Sequence, residues 1–178
     1  ARAEPGAAPA VVERIDLGEL ARRALADTHA LAQARGTELV LDVDGAVFID
    51  GERSALAALA RNLVDNAVRY SPAGSKVEVD VRNEADAAVL QIDDAGPGIP
   101  AAERARVFDR FYRRAAGGED GSGLGLAIVR SVAERHGATL TLDDSPAGGL
   151  RATMRFKPAD AAGANTAAAS DRGVRSTA

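Results

Sequence analysis

The chain contains no cysteine. That absence excludes disulfides, thiolate metal sites and thiol nucleophiles, and it fits a reducing compartment. Tryptophan is missing too, and aromatic side chains are scarce: four Phe and two Tyr in 178 residues. No block of Lys or Arg stands out among 22 basic and 26 acidic residues, and the net charge is −4. Nothing here grips a phosphate backbone or an anionic lipid surface, so neither nucleic acid nor membrane is expected as a partner. No apolar run approaches the roughly 18 residues of a membrane span. The N-terminus lacks the basic-then-apolar order of a signal peptide, and the chain reads as soluble. No Gly-Lys pair occurs anywhere, which removes a Walker loop, and no glycine cluster follows a strand with dinucleotide-binding spacing. There is no internal repeat.

What is present suits one globular domain with tails. Ala1 to Ala10 mixes Ala, Pro and Gly, and Ala159 to Ala178 has almost no bulky apolar residue; neither stretch can bury enough surface to fold. The expected organisation is a linker over 1–14, one domain over 15–157 and a disordered tail over 158–178. Leu17, Leu20, Ala21, Ala24, Leu25, Leu31 and Ala32 recur at helical spacing, with Asp16 and Glu19 placed like a capping box and Gly36 as the stop. Leu39, Leu41 and Val43 alternate with polar residues, and Asp44-Gly45 before Ala46 to Ile49 predicts a hairpin. A second helix is expected from about Arg53 to Tyr70, ended by Ser71-Pro72. Val77, Val79 and Val81 alternate with charged neighbours, and Ala87 to Asp93 follows; these two runs read as the central strands. Ala138 to Leu142 and Leu150 to Phe156, separated by the turn Pro146-Ala147-Gly148-Gly149, complete the sheet.

Four stretches carry chemistry. On the second helix, Asn62, Asn66 and Arg69 fall within an arc of roughly 60° at 100° per residue. That strip runs along the edge of the apolar face made by Leu56, Leu59, Ala60, Leu63, Ala67 and Val68. Amides there either meet a ligand or bond to neighbouring backbone. Beyond the second central strand, the period of two turns Asp94 toward the core and Asp93 away from it. An inward carboxylate before Gly96-Pro97-Gly98 either receives donors from a ligand brought close to the backbone or simply caps the turn. From Ile99 to Ser122, a short helical piece starting at Pro100 precedes Phe108, Phe111 and Tyr112, half of all the aromatics, and then Gly117-Gly118. This is the composition of a lid that packs when closed and hinges when open, or of a small satellite core. Last, Gly121-Ser122-Gly123-Leu124-Gly125-Leu126 leads directly into an apolar helix reaching about His136, an arrangement that offers backbone N–H groups to an anion.

In this order the blocks resemble the catalytic ATP-binding domain of bacterial sensor histidine kinases, within the superfamily that includes gyrase, Hsp90 and MutL. The resemblance covers roughly Ile15 to Phe156. Asn62 to Pro72 is similar to the family's N box, Asp94 to Pro100 to its first glycine box, Phe108 to Arg113 to its F box, and Gly121 to Val129 to its second glycine box. It implies an α/β two-layer sandwich of Bergerat type, a mixed sheet covered on one face by helices, with a flexible ATP lid. It implies ATP and Mg²⁺ as ligands, Asp94 on the adenine amino group, Asn66 on the metal, and Arg69 and Arg113 against phosphate charge. Tyr70, Gly96, Gly98, Ile99, Phe108 and Leu126 would surround the nucleotide. Gly121, Ser122, Gly123, Leu124 and Gly125 would cradle its phosphates. Asn62 and Arg113 are the candidate catalytic residues.

The chain departs from the family at Ala95, where Asn is usual, and at Leu150, where Thr is common. It also lacks a His-Glu-x-x-x-Pro phosphoacceptor box: His29 precedes Ala-Leu-Ala and His136 precedes Gly-Ala. The expectation is a cytoplasmic domain cut at a boundary, with Ala1 to Glu4 as the remnant of a dimerisation helix. It would give the γ-phosphate of Mg²⁺-ATP to a histidine on a separate dimerisation domain, and reach a response regulator only indirectly. An ATP-driven clamp or hydrolase is the alternative, but such relatives carry a Glu base where this chain has Asn62, and an amide takes no proton from water. A nucleotide-sensing domain without transfer is the third reading.

Overall fold

The computed structural model describes residues 9–109 and 125–160. In chain order these form β1 (Val12–Asp16), α1 (Leu17–Arg35), β2 (Glu38–Asp44), β3 (Phe48–Glu52), α2 (Arg53–Tyr70), β4 (Lys76–Asn83), β5 (Ala88–Asp93), α3 (Gly125–Arg135), β6 (Thr139–Asp144) and β7 (Leu150–Phe156). Single 3₁₀ turns at Ala101–Glu103 and Arg106–Phe108 follow β5.

The helix boundaries follow from local chemistry. Asp16 caps α1 by accepting from the N–H groups of Gly18 and Glu19 at 2.8 and 3.2 Å. The expected reciprocal arm of the box is not made, since Glu19 turns to Arg22 at 2.6 Å. Gly36 ends the helix at φ 65°, the left-handed conformation that glycine adopts without steric cost. Helix α2 stops where Ser71 goes extended ahead of Pro72, as a residue before proline must.

Five strands form a mixed sheet in the order β2-β4-β5-β7-β6, with β2 parallel to β4 and the other pairs antiparallel. Its inner face is a register of Val79, Ile92 and Ala152, and of Val81, Leu90 and Met154, all buried under the helices. The outer face is polar and has no helix among the described residues. Its long side chains cover β5 themselves: Arg82 reaches Glu84 and Gln91, Arg151 reaches Asp93, and Arg155 reaches Glu84. Every residue of β5 is therefore buried although one face of the sheet carries no helical layer.

Two expectations need correcting. Strands β2 and β3 do not form a hairpin. The Asp44-Gly45 turn exists, with Gly45 at φ 74°, but Val47 beyond it is buried and its carbonyl accepts the N–H of Leu17. That bond commits β3 to β1, with Ile15 opposite Ile49, while β2 takes β4 as its partner. Strand β1 was not foreseen and begins inside the stretch read as linker. The resulting two-stranded ribbon is fastened on its other side by the chain exit, where Ala159 N–H donates to the Phe48 carbonyl and Pro158 bridges to Ile49.

Candidate functional site

The ends of β5 and β7, the C-terminal half of α2 and the start of α3 enclose one open pocket of about 720 Å³ counted to its mouth. Leu63, Ala67, Ile92, Ile99, Val107, Leu126, Leu142, Leu150 and Ala152 give it apolar walls. Among the described residues, three side chains bring polar atoms to it: Asn66, Tyr70 and Asp94. A mostly apolar cleft with few directed polar groups is what a small organic ligand requires.

Asp94 is set by the turn that follows β5. Its Oδ1 accepts from the N–H groups of Gly96 and Leu150 at 2.9 and 3.0 Å, and its own N–H donates to the Leu150 carbonyl at 3.0 Å. The carboxylate thus does cap the turn, but with one oxygen. Oδ2 has no hydrogen-bond partner among the described residues. Burial pushes the carboxyl above its ordinary value, although the two N–H groups act the other way, and Asp93 next door adds to the rise. Glycine is required around it: a methyl on Gly149 would overlap the Asp94 carboxylate and carbonyl oxygens, and one on Gly96 would strike the Tyr70 carbonyl. Leu150, where the family commonly has Thr, meets Asp94 through its backbone N–H. Gly149 is a site residue that the sequence marks only through the Gly148-Gly149 turn.

The two helix amides behave differently. Asn62 donates to the Ala58 carbonyl one turn back at 2.7 Å, and its oxygen faces Gly125, where an added methyl would stand 3.1 Å away. Asn66 lines the pocket and makes no side-chain hydrogen bond among the described residues. Arg69 lies off the pocket wall and donates to Asp65 at 2.7 Å. Tyr70 is half exposed, and Gly98, at φ 68°, and Ile99 line the pocket beside Asp94. Phe108 packs against the core without lining the cleft, and its neighbour Val107 does so instead. Of the second glycine cluster, Gly125 and Leu126 are seen in α3; Gly121, Ser122, Gly123 and Leu124 lie outside the described residues, as does Arg113. No group of three or more His, Cys, Asp or Glu poised for a metal occurs among the described residues, and no helix there is long and apolar enough to cross a membrane.

A mixed sheet with helices on one face, and a pocket between the sheet end and a helix bearing amides, defines the ATPase class shared by histidine kinases, gyrase B and Hsp90. The family model described as histidine kinase-, DNA gyrase B- and HSP90-like ATPase matches residues 51–160, and the chain belongs to that family. Within it, the domain is of the catalytic, ATP-binding kind of bacterial sensor histidine kinases. The chain is 37% identical over 137 residues to the swarming motility regulation sensor protein RssA of Serratia marcescens, an alignment covering 76% of the chain and 29% of that protein. Among solved structures, the mycobacterial sensor histidine kinase MprB superposes with a TM-score of 0.72 at 34% identity, covering 83% of this chain and 98% of that one. Full-length ShkA in complex with AMPPNP superposes with a TM-score of 0.73 at 25% identity, over 88% of this chain and 33% of that one. The chain thus spans less than a third of the length of the whole sensor protein RssA.

Proposed function

We propose that this domain binds Mg²⁺-ATP and presents the γ-phosphate to a histidine on a separate dimerisation domain of the same sensor kinase. The observation that carries the proposal is the pairing, in one apolar cleft, of a carboxylate oxygen on Asp94 and an amide on Asn66 that have no hydrogen-bond partner among the described residues. Oδ2 of Asp94 suits the amino group of adenine, because the other oxygen is already saturated and only an acceptor remains to face the ligand. The apolar walls suit the faces of the purine. Asn66 offers an amide oxygen as a metal ligand. A single amide ligand suits Mg²⁺, which takes few protein ligands and completes its shell with water and phosphate oxygens. Bound Mg²⁺ would neutralise charge on the transferring phosphoryl group. Arg69, Arg113 and the backbone N–H groups of Gly121 to Gly125 are the proposed phosphate partners.

Neither histidine of the chain stands in a phosphoacceptor box, since His29 precedes Ala-Leu-Ala and His136 precedes Gly-Ala, and His136 has both ring nitrogens engaged by backbone. Asn62, with an amide spent on Ala58, offers no base for water. Transfer to a second domain therefore fits better than hydrolysis; the proposal includes a position on the cytoplasmic side of a membrane sensor, with a response regulator as the downstream receiver. Asn66→Ala tests the reading. Titration calorimetry should show Mg²⁺-ATP binding at least about tenfold weaker, the scale of a lost charge-assisted contact, with an unchanged circular-dichroism spectrum. Supplied with its own dimerisation domain in trans, the wild-type chain should form an acid-labile, base-stable phosphohistidine there, and none on itself. Undiminished affinity in Asn66→Ala removes the metal assignment; brisk ATP hydrolysis by the chain alone puts the hydrolase reading first.

A further inference from the structure

Helix α3 meets α2 near the pocket, and the residue just beyond its other end meets the residue just before α2. Near the pocket, Gly125 of α3 packs on the Asn62 and Asn66 amides, and Leu126 shares the pocket lining with Leu63 and Asn66. At the far end, just past α3, His136 is held on both ring nitrogens. Nδ1 lies 2.7 Å from the Val132 carbonyl oxygen, which can only accept, so Nδ1 carries the hydrogen. Nε2 lies 3.1 Å from the backbone nitrogen of Glu52, which can only donate, so Nε2 is bare. The two partners together specify a neutral ring and a single tautomer. Glu52 is the last residue of β3 and the N-cap of α2. The ring is seated closely there: a methyl on Gly51 would come within 2.7 Å of its Cδ2.

We propose that His136 is a positioning residue for the nucleotide pocket, and that it makes this positioning sensitive to pH. Neutral, it fixes the C-terminal end of α3 to the start of α2 and to the β1–β3 ribbon. That fixes how Gly125 and Leu126 meet Asn66 at the other end of the same helix pair. A proton added to Nε2 sets one N–H against another and releases the clasp. The charged groups around the ring are engaged with one another. Glu52, from the ribbon side, is 3.6 Å from Arg135 and accepts from Ser54. On α3 Glu134 pairs with Arg130, and across the ribbon Arg53 pairs with Glu13 and Arg14 lies near Asp50. The pocket readout rests on the nucleotide reading above; the clasp does not.

The test follows the Glu52 amide and the His136 ring nitrogens by NMR in the whole chain from about pH 8 to about pH 5, alongside binding of a Mg²⁺-loaded nonhydrolysable ATP analogue. At the upper end the ring should show the Nδ1–H tautomer. As the ring protonates, the Glu52 amide should exchange with water about tenfold faster, and analogue affinity should fall about fivefold, the scale of one neutral hydrogen bond. His136→Gln can donate to Val132 and accept from Glu52 without titrating, so it should keep the high-pH affinity and lose the pH-linked fall. An Nε2–H tautomer at pH 8, a Glu52 amide indifferent to ring titration, or an equal fall in His136→Gln overturns the proposal. Failure of the analogue to bind at any pH counts against the nucleotide reading instead, and the ring and amide signals then decide the clasp by themselves.

Discussion

Asp93 and Asp94 are consecutive, sit at the same strand end and are each 6% exposed, yet the fold treats them in opposite ways. Asp93 points to the outer face of the sheet and meets Arg151 through two parallel hydrogen bonds of 2.7 and 2.6 Å, the bidentate arrangement that makes a carboxylate inexpensive to bury. Asp94 points to the inner face, receives two backbone N–H groups on one oxygen, and has no cation beside it among the described residues. A buried charge without a counter-charge is destabilising. The fold therefore keeps one acid satisfied by its own chain and leaves its neighbour incomplete, and the incomplete one faces the pocket. An acceptor held in place but unfilled is a binding group.

The largest expected effect breaks the comparison at Asp94. In Asp94→Asn, the amide oxygen must still accept from Gly96 and Leu150, so its NH₂ turns to the pocket, donor against the donor of adenine. ATP affinity should fall at least about tenfold, on the scale of a charged hydrogen bond, and preference over GTP should fall with it. Stability should hold or rise. The folded-state carboxyl lies above its ordinary value of 3.8 because burial disfavours the charge. The native state therefore binds the proton more tightly, and stability declines as pH rises from 3.8 through the raised folded value. The variant should lack that decline in denaturation curves taken across mild acid. A variant that binds ATP fully makes Asp94 a turn cap and nothing more.

Asp93→Asn should give the mirror image. Losing the charged pair with Arg151 should destabilise the domain by about 1.5 to 3 kcal/mol, measured by urea denaturation, while calorimetry returns an ATP affinity within about twofold of wild type. The tolerance reflects a change on the face remote from the ligand. If affinity drops and stability does not, the two faces are not separate and the assignment of roles by strand parity is wrong.

That parity was legible in the sequence, because a strand has a period of two whatever it packs against; so were the helix ends, fixed by Asp16, Gly36 and Pro72 within a few residues of chain. What escaped was set by distant partners. The Asp44-Gly45 signal describes the turn and says nothing of the Leu17 N–H that draws Val47 away from β2, so a hairpin was expected where two sheets part. Val12 to Asp16 form a strand only because β3 is there to pair with. Gly149 is needed only because Asp94, 55 positions earlier in the numbering, is folded onto it. The Asn62 and Asn66 strip was visible as an anomaly, but which amide would be spent on its own helix and which left for the pocket depends on Gly125 arriving from α3.

The smallest expected effect sharpens the comparison by testing whether a raised carboxyl pKa is itself a sign of function. Asp80 lies on the outer face, in register with Asp42 on one side and Gln91 on the other. Partial burial raises its carboxyl above 3.8, Asp42 and Asp93 add to the rise, and Arg82 opposes it. The sign is that of Asp94: the ionised form is the disfavoured one, so stability is lost as pH rises from 3.8 through the raised value. Asp80→Asn should therefore stabilise the domain at neutral pH. The gain should be only about 0.5 kcal/mol, since Asp80 is half-buried and screened by solvent, and most of the like-charge part should vanish between about 0.05 and 1 M salt. ATP affinity should not move, because Asp80 lies on the face of the sheet opposite Asp94 and does not line the pocket. Should Asp80→Asn weaken ATP binding as Asp94→Asn does, electrostatic strain would reach the site through the sheet. The distinction drawn here, that an open acceptor in a cleft marks the ligand group and a raised pKa alone does not, would then fail.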